Sequence, residues 1–418
     1  MISTNLKFNR DIRKGARVKS GLALLCGAAL LALTPSLTPS ATAQINMVGQ
    51  PSIKQPFVSP NLPNDAFAKF TPNPTSNARL DFEVMDLLVE RIVLYMGPSL
   101  RRFASKPEAF SGTRIIKKHK SPYRLEGNKI VYSMLNGTKK DIITDYLADL
   151  VDISEQVDIT SLSRDDQLSY WFNLHNLALI KEVMEAYPKT NPKNIKPLEG
   201  SDAKLHDAKI LVIDGVALSL RDIRENIVYR HWNDPIVIYG FHDGTLGAPS
   251  MPAIAFDRDN IDQILHENAK EFTNSLRGFG YGKVSPYFKD HAKFFFPNFE
   301  QDLRSHFKKY MRPEVYAEVE ATPQFRLHRR LETIADTTGG YGKYAAPANL
   351  YTNGSAASIG MPPGAAEFIQ QRNQKMEKLR ETEWFRRNTV IIEDIETIDP
   401  DTLEPEAYDP GVDVDINR

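Results

Sequence analysis

The stretch Asp165 to Met184 constrains this chain more than any other. Leu168, Trp171, Phe172, Leu174, Leu177, Ala178, Ile180 and Met184 recur at helical spacing and cover most of a helix circumference. A helix that is apolar nearly all round packs on several sides. Ser163, followed three residues later by Asp166, is a helix start signal, and Pro188 closes the run. Yet Asn173, His175 and Asn176 sit in its middle. Asparagine is a poor interior helix residue because its amide competes for backbone groups. Buried, such an amide finds partners or costs stability. Asn173 and Asn176 are three apart, so they point the same way and can grip a neighbouring segment.

The 418-residue chain has room for one large domain or two. With 41% hydrophobic and 25% charged residues its balance is that of ordinary globular material. A formal net charge of -1 supplies no basic field, so nucleic acid is not an expected partner. Residues 1–43 read as a signal peptide. Lys7, Arg10, Arg13, Lys14, Arg17 and Lys19 form a cationic region, Gly21 to Leu33 a short apolar run, and Ala41-Thr42-Ala43 a cleavage signal before Gln44. The apolar run is too short to span a bilayer comfortably, and no twin-arginine pair precedes it. The expectation is a periplasmic or secreted protein with no stable transmembrane segment after cleavage. The single cysteine, Cys26, lies inside the apolar run, and Leu25 before it argues against lipidation. A chain cut at Gln44 holds no disulfide, thiolate ligand or cysteine nucleophile, which excludes a cysteine hydrolase.

Residues 44–76 are proline-rich and read as an extended linker or arm. A helix is expected from Asp81 to Tyr95, ended by Gly97-Pro98, a short strand at Asn128 to Ser133, and a helix over Asp141 to Leu150. Ala208 to Leu218 reads as a hairpin turning at Asp214-Gly215. Ser219 and Asp222 cap the next helix. Pro235 to Phe241 reads as a buried strand leading into the loop His242 to Met251. Asn260 to Leu276 is an amphipathic helix, and Tyr287 to Tyr310 a closing helical segment. Thr337 to Ala366 has linker composition. Ala366 to Arg387 is a charged helix with alternating signs. Residues 391–418 form an acidic tail expected to be disordered.

The run Asp166-Gln167-Leu168-Ser169-Tyr170-Trp171-Phe172-Asn173-Leu174-His175-Asn176 resembles the E-Q-L-A-F-W-I-N-L-Y-N signature of the DUF547 family, a domain of unknown function in bacterial envelope proteins and in plants. The resemblance extends over about residues 128–340. Asp234 to Met251 is similar, without a gap, to the family pattern D-P-R-I-H-F-A-L-N-C-A-S-x-G-C-P-x-L, with Gly247 and Pro249 matching. The family histidine falls on Ile238, its first cysteine on Asp243 and its second on Ala248. Its Glu-His pair after S-L-D-D-I is replaced by Arg224 and Glu225. The resemblance therefore implies a family site with its chemical groups replaced.

Asp243, His242 and Glu225 are the candidate catalytic groups, since carboxylates with differing pKa values can act as acid and base. Against this, His242-Asp243 is a polar loop before Gly244. A metal reading would draw on His242, Asp243, His206 and Asp207, but no H-x-x-x-H or H-E-x-x-H spacing supports it. Ser250 lacks the G-x-S-x-G context of a nucleophile. Asn173, His175, Asn176, Ser219 and Asp222 are candidate binding residues, weighed against a purely cohesive role in fixing the fold. The glycine-rich Thr338 to Gly342 fits no phosphate loop, and no cofactor is implied.

These readings converge on an α+β fold. One main mixed domain, residues 77–340, places a buried central helix against a small sheet. Extended arms flank it, residues 341–390 being linker and charged helix. The expected function is a cell-envelope binding or scaffolding module whose partner is an envelope protein or a small ligand. The alternative is a hydrolase using carboxylates or a metal at the Asp243 loop. Mass spectrometry of the native protein should find Gln44 as its first residue; an intact Met1 end in the membrane fraction would refute the cleavage.

Overall fold

The computed structural model describes residues 66–73, 75, 78–107, 118–342 and 362–381, all within the unit Ser52–Arg418. The expected signal peptide, most of the proline-rich arm and the acidic tail lie outside them. The architecture is mixed α+β with a mainly helical core and small sheets. Helix α1 (Glu83–Ile92) runs into strand β1 (Val93–Leu94), which pairs antiparallel with β2 (Lys129–Ile130). Helix α2 (Thr138–Gln156) packs along α3 (Arg164–Ala186). Strands β3 (Leu211–Ile213) and β4 (Val216–Leu218) form the expected hairpin, with Asp214 and Gly215 at φ 48° and 75° as a two-residue turn of this kind requires.

Helix α3 carries the core. Ser163 caps it by accepting from the Asp166 N–H at 3.2 Å, and Asp166 returns the bond through its carboxylate. Tyr170, Trp171, Phe172, Leu174, Leu177, Ala178, Leu179, Ile180 and Val183 are all fully buried. Trp171 meets Phe70 edge-on at 5.2 Å, and Phe172 meets Phe241 and Phe256 at 4.8 Å.

The segment after Ser219 is helical as expected but wound as a π-helix over Asp222–Val228, continuing into α4 (Tyr229–His231). The expected strand at Pro235 to Phe241 is instead a buried 3₁₀ helix, Pro235–Gly240. The sequence signal there is a bare apolar run, which a buried strand and a buried helical turn share. Asp234 caps this turn by accepting from the Ile236 N–H at 2.9 Å, with Pro235 in the first helical position. Its carbonyls are then taken by side chains rather than by a neighbouring strand. Tyr287 Oη donates to Ile238 O at 2.6 Å, Asn268 Nδ2 to Tyr239 O at 3.1 Å and Asn176 Nδ2 to Gly240 O at 2.9 Å. Gly240 is required because a Cβ would stand 2.3 Å from the Phe172 ring.

Helix α5 (Ile261–Thr273) packs against this turn. Strands β5 (Phe279–Gly280) and β6 (Lys283–Val284) form a second hairpin. Helices α6 (Pro286–Asp290), α7 (Ala292–Phe295), α8 (Phe299–Tyr310) and α9 (Pro313–Glu320) follow. Strand β7 (Arg326–Leu327) then joins β6 in parallel, giving the order β5-β6-β7. The charged helix α10 (Pro363–Arg380) is docked, with Phe368, Lys375 and Leu379 buried and Lys375 Nζ donating to Leu125 O at 2.8 Å.

Thr337 to Gly342 is not linker, despite its composition. Asp336 Oδ1 gathers the N–H groups of Thr338 and Gly340, each at 3.1 Å, while its other oxygen accepts from Tyr187 Oη at 2.9 Å. Gly340, at φ 79°, passes so close to Lys189 that a Cβ would lie 2.2 Å from its carbonyl oxygen. Glycines that read as flexibility here permit close packing.

Four core histidines make the fold acid-sensitive. Burial first holds His119, His206 and His306 down to about 3 and His291 to about 4. In the unfolded chain each would titrate near the ordinary value of about 6.5. Protonation of the unfolded state therefore begins first, and the stability these groups confer is full above about 6.5 and lost as pH falls toward the folded values. Urea unfolding should show a falling midpoint between about pH 7.5 and about pH 5; a flat midpoint would refute this.

Candidate functional site

Asn173 and Asn176 lie on α3 with no solvent exposure. Asn173 Nδ2 donates to Phe256 O at 2.7 Å while its Oδ1 accepts from Phe256 N–H at 3.1 Å. Asn176 Nδ2 donates to Gly240 O, and its Oδ1 accepts from His242 N–H at 3.0 Å. Each side-chain amide behaves as a peptide group would in a sheet, answering both a donor and an acceptor of a passing backbone. They hold two segments rather than one: the exit of the 3₁₀ helix, and the chain entering α5. Because Asn176 Oδ1 must accept from His242 N–H, the His175 Nδ1 that contacts it at 3.1 Å is the protonated nitrogen. His175 is kept neutral, foremost by burial and then by the nearby Arg224. None of the three reaches solvent.

Ser219 and Asp222 form a cap. Asp222 Oδ2 accepts from Ser219 N–H at 2.7 Å and from Lys209 Nζ, and Oδ1 accepts from Asn226 Nδ2 at 2.9 Å. Burial pushes its carboxyl up, but the bonds from Lys209 and Ser219 together hold it below the ordinary range.

Asp243 opens onto a small recess lined also by Lys193, Thr245, Tyr287, Asp290, Arg330 and Glu332. Its volume is ≈ 20 Å³, about that of a single water. Asp243 Oδ2 pairs with Lys193 Nζ at 2.9 Å, and Oδ1 accepts from Thr245 N–H at 2.8 Å and Thr245 Oγ1 at 2.7 Å. Burial alone would raise its pKa, but the Lys193 ammonium, aided by Thr245, holds it far below the carboxylate range. Across the recess Arg330 clamps Asp290 through two bonds of 2.6 Å, and Asn191 donates to Glu332 at 2.9 Å. The polar groups of the rim are thus already engaged with one another.

The other candidate catalytic residues do not share this recess. His242 turns inward, with Nδ1 at 3.0 Å from Pro249 O, and is kept neutral chiefly by burial. Glu225 is held by Arg221 at 3.1 Å and Lys293 at 2.9 Å. Asp207 is occupied by Arg221 at 2.6 Å, and His206 is buried. Among the described residues no group of three or more His, Cys, Asp or Glu is placed to hold a metal ion. Ser250 bonds to Glu271 at 3.0 Å. Three structural residues gave no sequence signal. Lys193 and Arg330 are far apart in the chain, and Arg277 is a buried cation that donates to the Leu246 and Ala248 carbonyls and pairs with Glu271. The Asp243 loop is further pinned by Leu246 N–H to Thr333 O at 2.8 Å, Gly247 N–H to Leu331 O at 3.0 Å and Ala335 N–H to Gly244 O at 2.9 Å.

Asn173→Leu and Asn176→Leu should each lower stability, by about 1–3 kcal/mol for every backbone group left unanswered. Chemical unfolding checks this. Wild-type stability with abolished ligand binding would show instead that the amides serve a ligand.

No curated protein and no solved structure matches the chain. Residues 159–273 match the family profile described as "Protein of unknown function, DUF547". The match begins just before α3 and ends with α5. It takes in both amides, the hairpin, the π-helix, the 3₁₀ turn and the Asp243 loop, and lies inside the span of the sequence resemblance. The chain therefore contains a DUF547-like domain, matched over residues 159–273.

Proposed function

We propose that this chain is an exported cell-envelope module that binds or scaffolds a partner through the shape of its DUF547 domain, without thiol catalysis. The observation that carries the reading is the state of Asp243. It stands where the family pattern has a cysteine, and its oxygens are committed to Lys193 and Thr245. His242 and Glu225, the groups that a carboxylate mechanism would recruit, are engaged elsewhere. A site built for acid–base work holds groups convergent and near their working pKa. Here the framework is kept and the reactive positions are filled by cohesive contacts.

Export rests on the cationic run, the apolar run and Ala41-Thr42-Ala43, which precede the described residues. Among the described residues no helix is long and apolar enough to cross a membrane.

Asp243→Ala combined with Lys193→Met, which leaves no stranded ammonium, should fold and capture the same envelope partner as the wild type. Thiol-directed inhibitors should change nothing in any assay. If a hydrolytic activity is found and this variant abolishes it while folded, the carboxylate-hydrolase reading replaces the scaffold.

A further inference from the structure

Strand β7 is paired on one side only. Arg326 N–H reaches Gly282 O at 3.1 Å and His328 N–H reaches Val284 O at 2.9 Å. Leu327 lies between them, so strand alternation turns its N–H and C=O outward. No strand covers that edge among the described residues. Such an edge is a template for one more strand.

The same edge carries unanswered charge. Lys283 and Arg326 are direct neighbours across β6 and β7. Like charges so placed weaken a strand pair. Neither of them, nor the exposed Arg329, has a carboxylate within ion-pair reach among the described residues. Leu327 is 49% exposed beside them. A row of rings runs from the β5–β6 turn toward β7. Tyr281 stacks on Phe103 at 5.8 Å, Phe103 meets Tyr123 at 5.3 Å, and Tyr123 meets His328 at 6.2 Å. Free backbone groups, three unpaired cations and one exposed leucine together fit an extended segment that alternates apolar and acidic residues.

The chain itself supplies one. Val412-Asp413-Val414-Asp415-Ile416 alternates strictly, and Glu404, Glu406 and Asp409 precede it. As a strand it would turn Val412, Val414 and Ile416 to one face and Asp413 and Asp415 to the other. That alternation is the counterpart of Leu327 against Arg326. From Glu381, the last described residue, the intervening chain of about 30 residues can extend about 100 Å, so the tether does not restrict docking.

We propose that β7 is the docking edge for the chain's own C-terminal segment, Val412–Ile416, which adds as a further strand of the β5-β6-β7 sheet. The tail's acidic balance is what the cations of β6 and β7 complement, and β7 offers the backbone partners that a further strand needs. The proposal is independent of the scaffold reading, since no residue of the Asp243 recess except the neighbouring Arg330 lies on this segment.

Hydrogen exchange on the full chain tests it. The Val412–Ile416 amides should be protected relative to a synthetic peptide of the same tail, and the Leu327 amide relative to the same chain cut after Arg387, both independently of protein concentration. Lys283→Glu with Arg326→Glu should abolish that protection while the α3 amides stay protected. Adding Asp413→Lys and Asp415→Lys should restore it. Exchange of the tail at the free-peptide rate overturns the proposal, as does protection that survives the charge reversal. Protection that rises with protein concentration also overturns it and assigns the edge to a second copy.

Discussion

The structure depends on two side-chain amides inside an otherwise apolar helix. Without Asn173 and Asn176, α3 would be a greasy rod able to pack in several registers. With them it has one, because each amide must face a backbone donor and acceptor spaced as in a peptide group. Hydrophobic burial supplies the greater driving force but is not directional. The amides choose among the compact arrangements that burial allows. Through Gly240 and His242 they place the Asp243 loop. Through Phe256 they place the entry to α5. The packing of Phe172 against Gly240, where no side chain larger than hydrogen fits, follows from the same placement.

Around this clasp several charged groups are paired with an opposite charge. Lys193 with Asp243 joins the segment after α3 to the Asp243 loop, Lys209 with Asp222 joins the approach to β3 to the π-helix, and Arg277 with Glu271 closes the end of α5. Removing one member of such a pair costs more than the pair contributes, because the other remains desolvated and alone.

Features encoded locally were legible in the sequence. Helix α3 announced itself through Ser163, Asp166 and its apolar periodicity. The β3–β4 hairpin did so through Asp214-Gly215. The amides were legible as an anomaly, though not their partners, since Phe256 and Gly240 are distant positions recognised through their backbones. Pro235 to Gly240 was misread because its carbonyls bond to Tyr287, Asn268 and Asn176, side chains that no window around the segment contains. Thr337 to Gly342 was misread because composition cannot see Asp336 collecting amide groups. Of the recess only Asp243 was legible: Lys193, Asp290, Arg330 and Glu332 are brought to it by the tertiary fold alone.

The bonds that Leu331, Thr333 and Ala335 make to the Asp243 loop have a temporal side. The loop is held by residues made about 90 positions later, and contacts of such long sequence separation form late because loop closure must come first. As the chain emerges, α3 can coil and the β3–β4 hairpin can close while the Asp243 loop still has one wall missing. A chain arrested after α9 would carry the DUF547 segment complete in sequence and incomplete in structure. For this protein the boundary of the homologous segment is therefore not the boundary of the folding unit.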